Sequence, residues 1–216
     1  MTLDIREQTH MSSDMNMANI GIRIFFTGVG GQGTLLATRL VGEAALKEGL
    51  PVTISEIHGM AQRGGVVESS VAIGNILSPT IADGEADVLM AFEPLETLRA
   101  LPKCYAGTLV ISNTTPIIPF TVSTGKSVYP SEDAIYGPVA ASVARLLRVP
   151  ALKLAREAGS DLASNMVMLG VLAGTCRLPI GGNSWQAVMR ERLPQRILAV
   201  NLKAFALGLE LASQQT

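Results

Sequence analysis

Two hydrophobic periods run through the chain. Ile22 to Thr27 is an apolar run of strand length that leads straight into glycine. From Gln32 to Glu48 the period changes to that of a helix. Leu35, Leu36, Leu40, Val41, Ala44 and Ala45 share one face, with Arg39, Glu43 and Lys47 elsewhere. Gly49 is placed to end that helix as a C′ glycine. Pro51 to Glu56 predicts the second strand, and the spacing is that of a right-handed βαβ unit. Val66 to Ile73 alternates, with Glu68 and Ser70 on one side and Val67, Ser69 and Val71 on the other. That alternation predicts an antiparallel or edge strand.

Val88 to Phe92 reads as a buried strand, and Glu93-Pro94-Leu95-Glu96 as a helix start with proline in its first turn. Gly107 to Ser112 predicts the next strand. Residues 113–130 hold three prolines and predict a loop with room for a short hairpin. Ser131 is the expected cap of a short helix, with Glu132 and Asp133 in its first turn. Leu162 to Cys176 predicts a buried helix, and Gln195 to Ala212 an amphipathic one. The order of elements predicts one α/β domain over residues 20–216. Residues 1–19 are polar, carry no apolar period and lack a signal-peptide core. We expect a disordered tail there, or translation starting at Met11 or Met17.

Composition narrows the function. Hydrophobic residues make up 48% and charged residues 16%, which fits a buried core. Seventeen basic against eighteen acidic residues leave a net charge of −1, and aromatics are only 4%. Neither figure points to nucleic acid or a membrane as a partner. The longest apolar run, Met166 to Cys176, is too short to span a bilayer. Cys104 and Cys176 stand far apart in no C-x-x-C, so a reducing cytoplasm is the expected location.

The candidate chemistry lies in two glycine-rich stretches. Gly28-Val29-Gly30-Gly31-Gln32-Gly33 follows the first strand and opens a helix as G-x-G-x-x-G. Gly28 would allow a tight turn, Gly30 a close approach of backbone to a bound group, and Gly33 close helix–strand packing. Such a loop cradles a pyrophosphate on the helix N-terminus, or serves packing alone. Glu56-Ile57-His58-Gly59-Met60-Ala61-Gln62-Arg63-Gly64-Gly65 follows the second strand. The two loops are expected to meet at the carboxyl edge of one sheet.

Glu56 lies 23 residues after Gly33, where a dinucleotide fold places its ribose-binding carboxylate. The other reading is a strand-end carboxylate paired with Arg63 or facing water. His58 is the one histidine outside the tail, and it is a candidate proton donor or anion contact, or a satisfied loop residue. Arg63 presents a planar fork to a carboxylate or phosphate, or fixes the loop. Asn165, inside an apolar helix, either holds a glycine loop by hydrogen bonds or lines the cleft. Met60, Met90, Met166 and Met168 read as core fillers.

One folded histidine cannot build a His-rich metal site. Two cysteines cannot hold an iron–sulfur cluster, and there is no G-x-x-x-x-G-K-[ST] loop. No metal ligands are assigned. On the residues alone, three functions stay open: a non-catalytic subunit, a self-contained NAD(P)- or flavin-dependent oxidoreductase, and a nucleotide-binding module.

The two glycine stretches and Asn165-Met166-Val167-Met168-Leu169-Gly170, in this order, resemble the gamma-domain family of 2-oxoacid:ferredoxin oxidoreductases. The stretch from His58 to Gly65 is most similar to the branch that acts on indolepyruvate. The resemblance spans Ile22 to the C-terminal helix. It implies a Rossmann-like fold with a mostly parallel sheet and helices on both faces. It also implies a subunit of a thiamine-diphosphate enzyme that decarboxylates an aryl 2-oxoacid oxidatively, forms an acyl-CoA and passes electrons to ferredoxin. In that family the thiamine diphosphate, its magnesium and the iron–sulfur clusters belong to a larger partner subunit, and the gamma domain helps to hold CoA. By this likeness Gly28, Gly30, Gly31, Gln32, Gly33, Glu56, Arg63 and Asn165 are the expected ligand-binding residues, with His58 and Arg63 the catalytic candidates. The family commonly carries a His and an Arg in the strand after the second glycine stretch, where this chain has Ser70 and Ala72.

Overall fold

Four strands alternate their apolar residues between two helical layers, and this builds the molecule. The computed structural model describes residues 21–58 and 65–215, and for Ile57 and His58 the backbone only. The tail expected over 1–19 and the loop residues 59–64, Met60 and Arg63 among them, lie outside the described residues. The strands are β1 (Gly21–Val29), β2 (Val52–His58), β3 (Val66–Gly74), β4 (Ala86–Ala91), β5 (Cys104–Asn113) and β6 (Arg145–Val149). They form one sheet in the order β2-β3-β1-β4-β5-β6. β1, β4, β5 and β6 pair in parallel.

Ile24, Phe26, Val88, Met90, Leu109 and Ile111 face the larger core. Phe25, Leu89 and Val110, one residue out of step, face the smaller one. This period-two switch is what a strand buried on both faces requires. Over the larger core lie α1 (Thr34–Lys47), α5 (Ala151–Ala158), α6 (Ser164–Gly174), α7 (Gly182–Arg192) and α8 (Gln195–Gln214). Over the other face lie α2 (Pro94–Arg99) and α4 (Glu132–Ser142). A further short helix, α3 (Phe120–Ser123), interrupts the long loop after β5.

The sheet corrects one expectation. β2 does not lie beside β1. β3 runs antiparallel between them, with Val29 opposite Val66 and His58 opposite Val67. The alternating strand is therefore antiparallel, as expected, but it is interior, and β2 is the edge. Thr38 Oγ1 lies 2.6 Å from Ser69 Oγ, which joins α1 to β3 across this insertion. The proline-rich stretch after β5 contains α3, and among the described residues it forms no hairpin. Ser131 caps α4 as expected, its Oγ accepting from the Ala134 N–H at 3.3 Å. β6, α5 and α7 were not anticipated.

α6 is buried along most of its length, with Met166 and Met168 at 0% exposure. It crosses α8 at Gly170 and Gly208. α8 is long and apolar enough to cross a membrane by length and composition. Its Leu198, Ala204, Phe205 and Ala212 are buried in the larger core.

Both cysteines are free thiols. Cys104 is half-buried at the start of β5, and burial pushes its pKa up to about 11. Cys176 is exposed. At about pH 8 iodoacetamide is therefore expected to modify Cys176 well before Cys104, because the thiolate is the nucleophile. Equal rates for the two thiols in a peptide-mapped time course would contradict this.

A candidate ligand cleft at the carboxyl edge

The β1–α1–β2 connection runs over one face of the sheet, and the β4–α2–β5 connection over the other. The junction between β1 and β4 is thus the topological switch point, where α/β sheets open a crevice. A cleft of about 450 Å³ lies there. Its floor is Gly31, Gln32 and Gly33 after β1, Phe92 after β4, Asn113 at the end of β5 and Thr115 beyond it. Its walls are mostly apolar, Leu36, Ile117, Leu152 and Leu162, with Ser164 and Asp161 also lining it, the latter bonded to Arg156 at 3.0 and 3.1 Å. Asn165, from the first turn of α6, closes one side.

Gln32 clamps the first glycine loop. Its Oε1 accepts from the Val29 N–H at 2.7 Å, and its Nε2 donates to the Phe92 carbonyl at 2.6 Å. The same carbonyl accepts from Asn113 Nδ2 at 3.0 Å, so β1, β4 and β5 are tied together under the cleft. Gly30 ties the first glycine loop to the second. Its N–H donates to the Gly65 carbonyl at 2.9 Å. The close approach is therefore to the second glycine stretch, and the two loops do meet at this edge.

Gly31 and Gly33 have φ of 103° and 77°, the left-handed region that favours glycine. Gly33 is also the N-cap of α1 and supplies no side-chain cap. A Cβ on Gly33 would strike Asn165 Nδ2, which donates to the Gly33 carbonyl at 3.4 Å. Asn165 thus both holds the loop and lines the cleft, uniting the two roles left open above. Its Oδ1 is buried without a hydrogen-bond partner, as is Thr34 Oγ1 on the first turn of α1. An uncapped helix start bordered by an orphaned acceptor is a place for a ligand that carries both negative charge and donors.

We expect Gly33→Ala to cost more than about 1 kcal/mol, since strain at positive φ adds to the Asn165 clash. Asn165→Ala should remove the clash but not the strain, so the double variant should recover only part of the loss. Thermal melting of the three variants checks this, and a Gly33→Ala protein as stable as wild type would contradict it.

Glu56 is held elsewhere. Arg39 of α1 grips it with two bonds, at 2.9 and 3.1 Å, on the edge strand β2. Glu56 does not line the cleft. β3 occupies the sheet position beside β1 from which a ribose-binding carboxylate would act. His58 ends β2 with its backbone opposite Val67, and its side chain, like Arg63, lies outside the described residues. Ser70 donates to the Pro79 carbonyl at 2.5 Å, and Ala72 is fully buried.

Glu93, legible in the sequence only as part of a helix start, has a wider role. It is 1% exposed and caps α2 by accepting from the Glu96 N–H at 3.0 Å. Its other oxygen accepts from the Ile117 N–H at 3.1 Å and the Tyr129 hydroxyl at 2.6 Å. Burial, and then the carboxylate beside it, pushes the Tyr129 phenol well above its usual range, so it stays a donor. Burial also raises Glu96, against the pull of Arg99, and Tyr136, whose hydroxyl lies 3.2 Å from Ser112 Oγ. The signal was the Glu93-Pro94 pair at the carboxyl end of a strand. Among the described residues no group of three His, Cys, Asp or Glu side chains is placed to hold a metal ion.

The chain is 43% identical over 191 residues to the indolepyruvate oxidoreductase subunit IorB of Methanothermobacter thermautotrophicus, covering 88% of this chain and 97% of that one. It is 25% identical over 195 residues to the ketoisovalerate oxidoreductase subunit VorA of the same organism, covering 89% of this chain but only 37% of the relative. In fold it is similar to 2-oxoglutarate:ferredoxin oxidoreductase from Magnetococcus marinus, with a TM-score of 0.68 at 22% identity, over 91% of this chain and 32% of that one. These likenesses favour the oxidoreductase-subunit reading over a self-contained nicotinamide or flavin enzyme and over a nucleotide-binding module. Residues 23–211 match the pyruvate ferredoxin/flavodoxin oxidoreductase family, and the chain belongs to it.

Proposed function

We propose that this chain is the smaller subunit of an indolepyruvate-type 2-oxoacid:ferredoxin oxidoreductase. The assembled enzyme oxidatively decarboxylates an aryl 2-oxoacid to an acyl-CoA and hands the electrons to ferredoxin. The observation that carries this reading is the near-complete match in length and sequence to an indolepyruvate oxidoreductase subunit. Thiamine diphosphate, its magnesium and the iron–sulfur clusters are assigned to the larger subunit.

The chain's own contribution is the carboxyl-edge cleft. Its apolar walls suit a long uncharged arm, and its floor of amides offers hydrogen bonds to that arm. The uncapped start of α1 favours negative charge. We assign the cleft to CoA, with Gly31, Gln32, Gly33 and Asn165 around it and Gly28 and Gly30 shaping the loop beneath. His58 and Arg63 are the candidates for contact with an anionic substrate from the second loop. We place the complex in the cytoplasm, where free thiols such as Cys104 and Cys176 persist.

The test is a substrate panel on the complex assembled from both subunits. Indolepyruvate should be used with a kcat/KM at least about tenfold above 2-oxoglutarate and ketoisovalerate, the discrimination that one well-fitted aryl pocket provides. Preference for either of the other two acids would overturn the assignment.

A further inference from the structure

The rim of the cleft is more apolar than a ligand pocket needs. Leu162 stands on the turn before α6 and is 88% exposed. Phe120, on α3, is 77% exposed, and Ile118 is 50% exposed. Leu36, Ile117 and Leu162 line the cleft, and Ile118 and Phe120 follow Ile117 on the loop after β5. Large apolar side chains exposed together on one edge mark an interaction surface. The loop that carries Ile117, Ile118 and Phe120 is pinned to the sheet. Glu93 holds the Ile117 N–H and the Tyr129 hydroxyl, and Asn113 Oδ1 accepts from the Thr115 N–H at 3.3 Å. The patch is therefore preorganised, which lowers the cost of binding.

The occupant can be named from chain lengths. The unit that stands alone here matches only 37% of the ketoisovalerate relative. The same fold fills 32% of the Magnetococcus marinus chain. In those proteins it is covalently joined to further protein. A unit that is fused in some relatives and separate in others keeps a permanent partner, and the separate form must hold that partner by surface alone. We infer that the edge formed by Leu36, Ile117, Ile118, Phe120 and Leu162 docks the larger subunit of the same enzyme. This rests on the subunit reading above. The docked partner closes the mouth of the cleft, so the ligand site is completed only in the complex.

The experiment measures binding of purified wild-type and variant chains to the larger subunit. Phe120→Asp and Leu162→Asp place a charge on the patch and remove no core contact. Each should weaken binding about tenfold or more while leaving the melting temperature unchanged. Leu77, 95% exposed, lies just beyond β3 at the opposite edge of the sheet. Leu77→Asp is the control and should bind as wild type does. Undiminished binding by both patch variants, or equal loss in Leu77→Asp, would overturn the docking edge alone. No binding by the wild-type chain would overturn the subunit reading and the docking edge together.

Discussion

Gly170→Ala and Gly208→Ala are each expected to destabilise the domain by about 3 kcal/mol, the upper range for overpacking a rigid contact. An alanine in place of a helical glycine ordinarily gains about 1 kcal/mol. Here the sign reverses because of what the added carbon meets. A Cβ on Gly170 would run into the carbonyl of Phe205, and one on Gly208 into the carbonyl of Val167. Both obstacles are backbone, so no rotamer can relieve them. The two helices would have to separate along a contact that spans most of α6. Gly182→Ala, at the first position of α7 with nothing near its Cβ, is the control and should be close to neutral. For a domain of this size the loss corresponds to a fall in melting temperature of about 6–12 °C. Melting within about 2 °C of wild type for either variant would show that the crossing is looser than described.

The second large effect concerns Glu93. Replacing it with leucine leaves the Ile117 N–H, the Tyr129 hydroxyl and the Glu96 N–H without their acceptor. Each buried orphan costs about 1–3 kcal/mol, so we expect a total of about 3–5 kcal/mol after partial relaxation. The loss should be local as well as global. Hydrogen exchange at the Ile117 amide should accelerate more than in the strands, because Glu93 is what ties that loop to the sheet. Tyr129→Phe, which removes only one of the three donors, should cost about 1 kcal/mol. If Glu93→Leu melted like wild type with Ile117 still protected, the pinned-loop account would fail.

These two devices mark where the sequence was legible and where it was not. β1 and α1 were readable because their apolar periods are clean and a glycine run separates them. The two-faced burial of β4 and β5 showed as unbroken apolar runs. β6 was not readable: it is five residues long, carries Arg145 and Arg148, and among the described residues pairs only with β5. α7 opens on Gly182 and Asn183, and its apolar face is only Trp185, Val188 and Met189, too short a period to stand out. The place of β3 was half-readable. Its alternation pointed to an antiparallel or edge strand, but its insertion between β2 and β1 depends on long-range pairs such as Thr38 with Ser69. In the site, Gln32 and Asn165 stood out beside the glycine loop. Asn113, Ile117 and Glu93 did not, because they meet only when the loop after β5 folds back over β4. Nothing local in a stretch holding Pro116 and Pro119 announces that return.

The central claim is that this chain is an obligatory part of an oxidoreductase and not an enzyme by itself. The most direct measurement is ferredoxin reduction with indolepyruvate and CoA, using this chain alone, the larger subunit alone, and both mixed after separate purification. The account predicts no turnover by this chain, loss of nearly all turnover by the larger subunit, and recovery on mixing that saturates at a fixed ratio of the two. Sustained ferredoxin reduction by this chain alone, or a full rate from the larger subunit without it, would contradict the account.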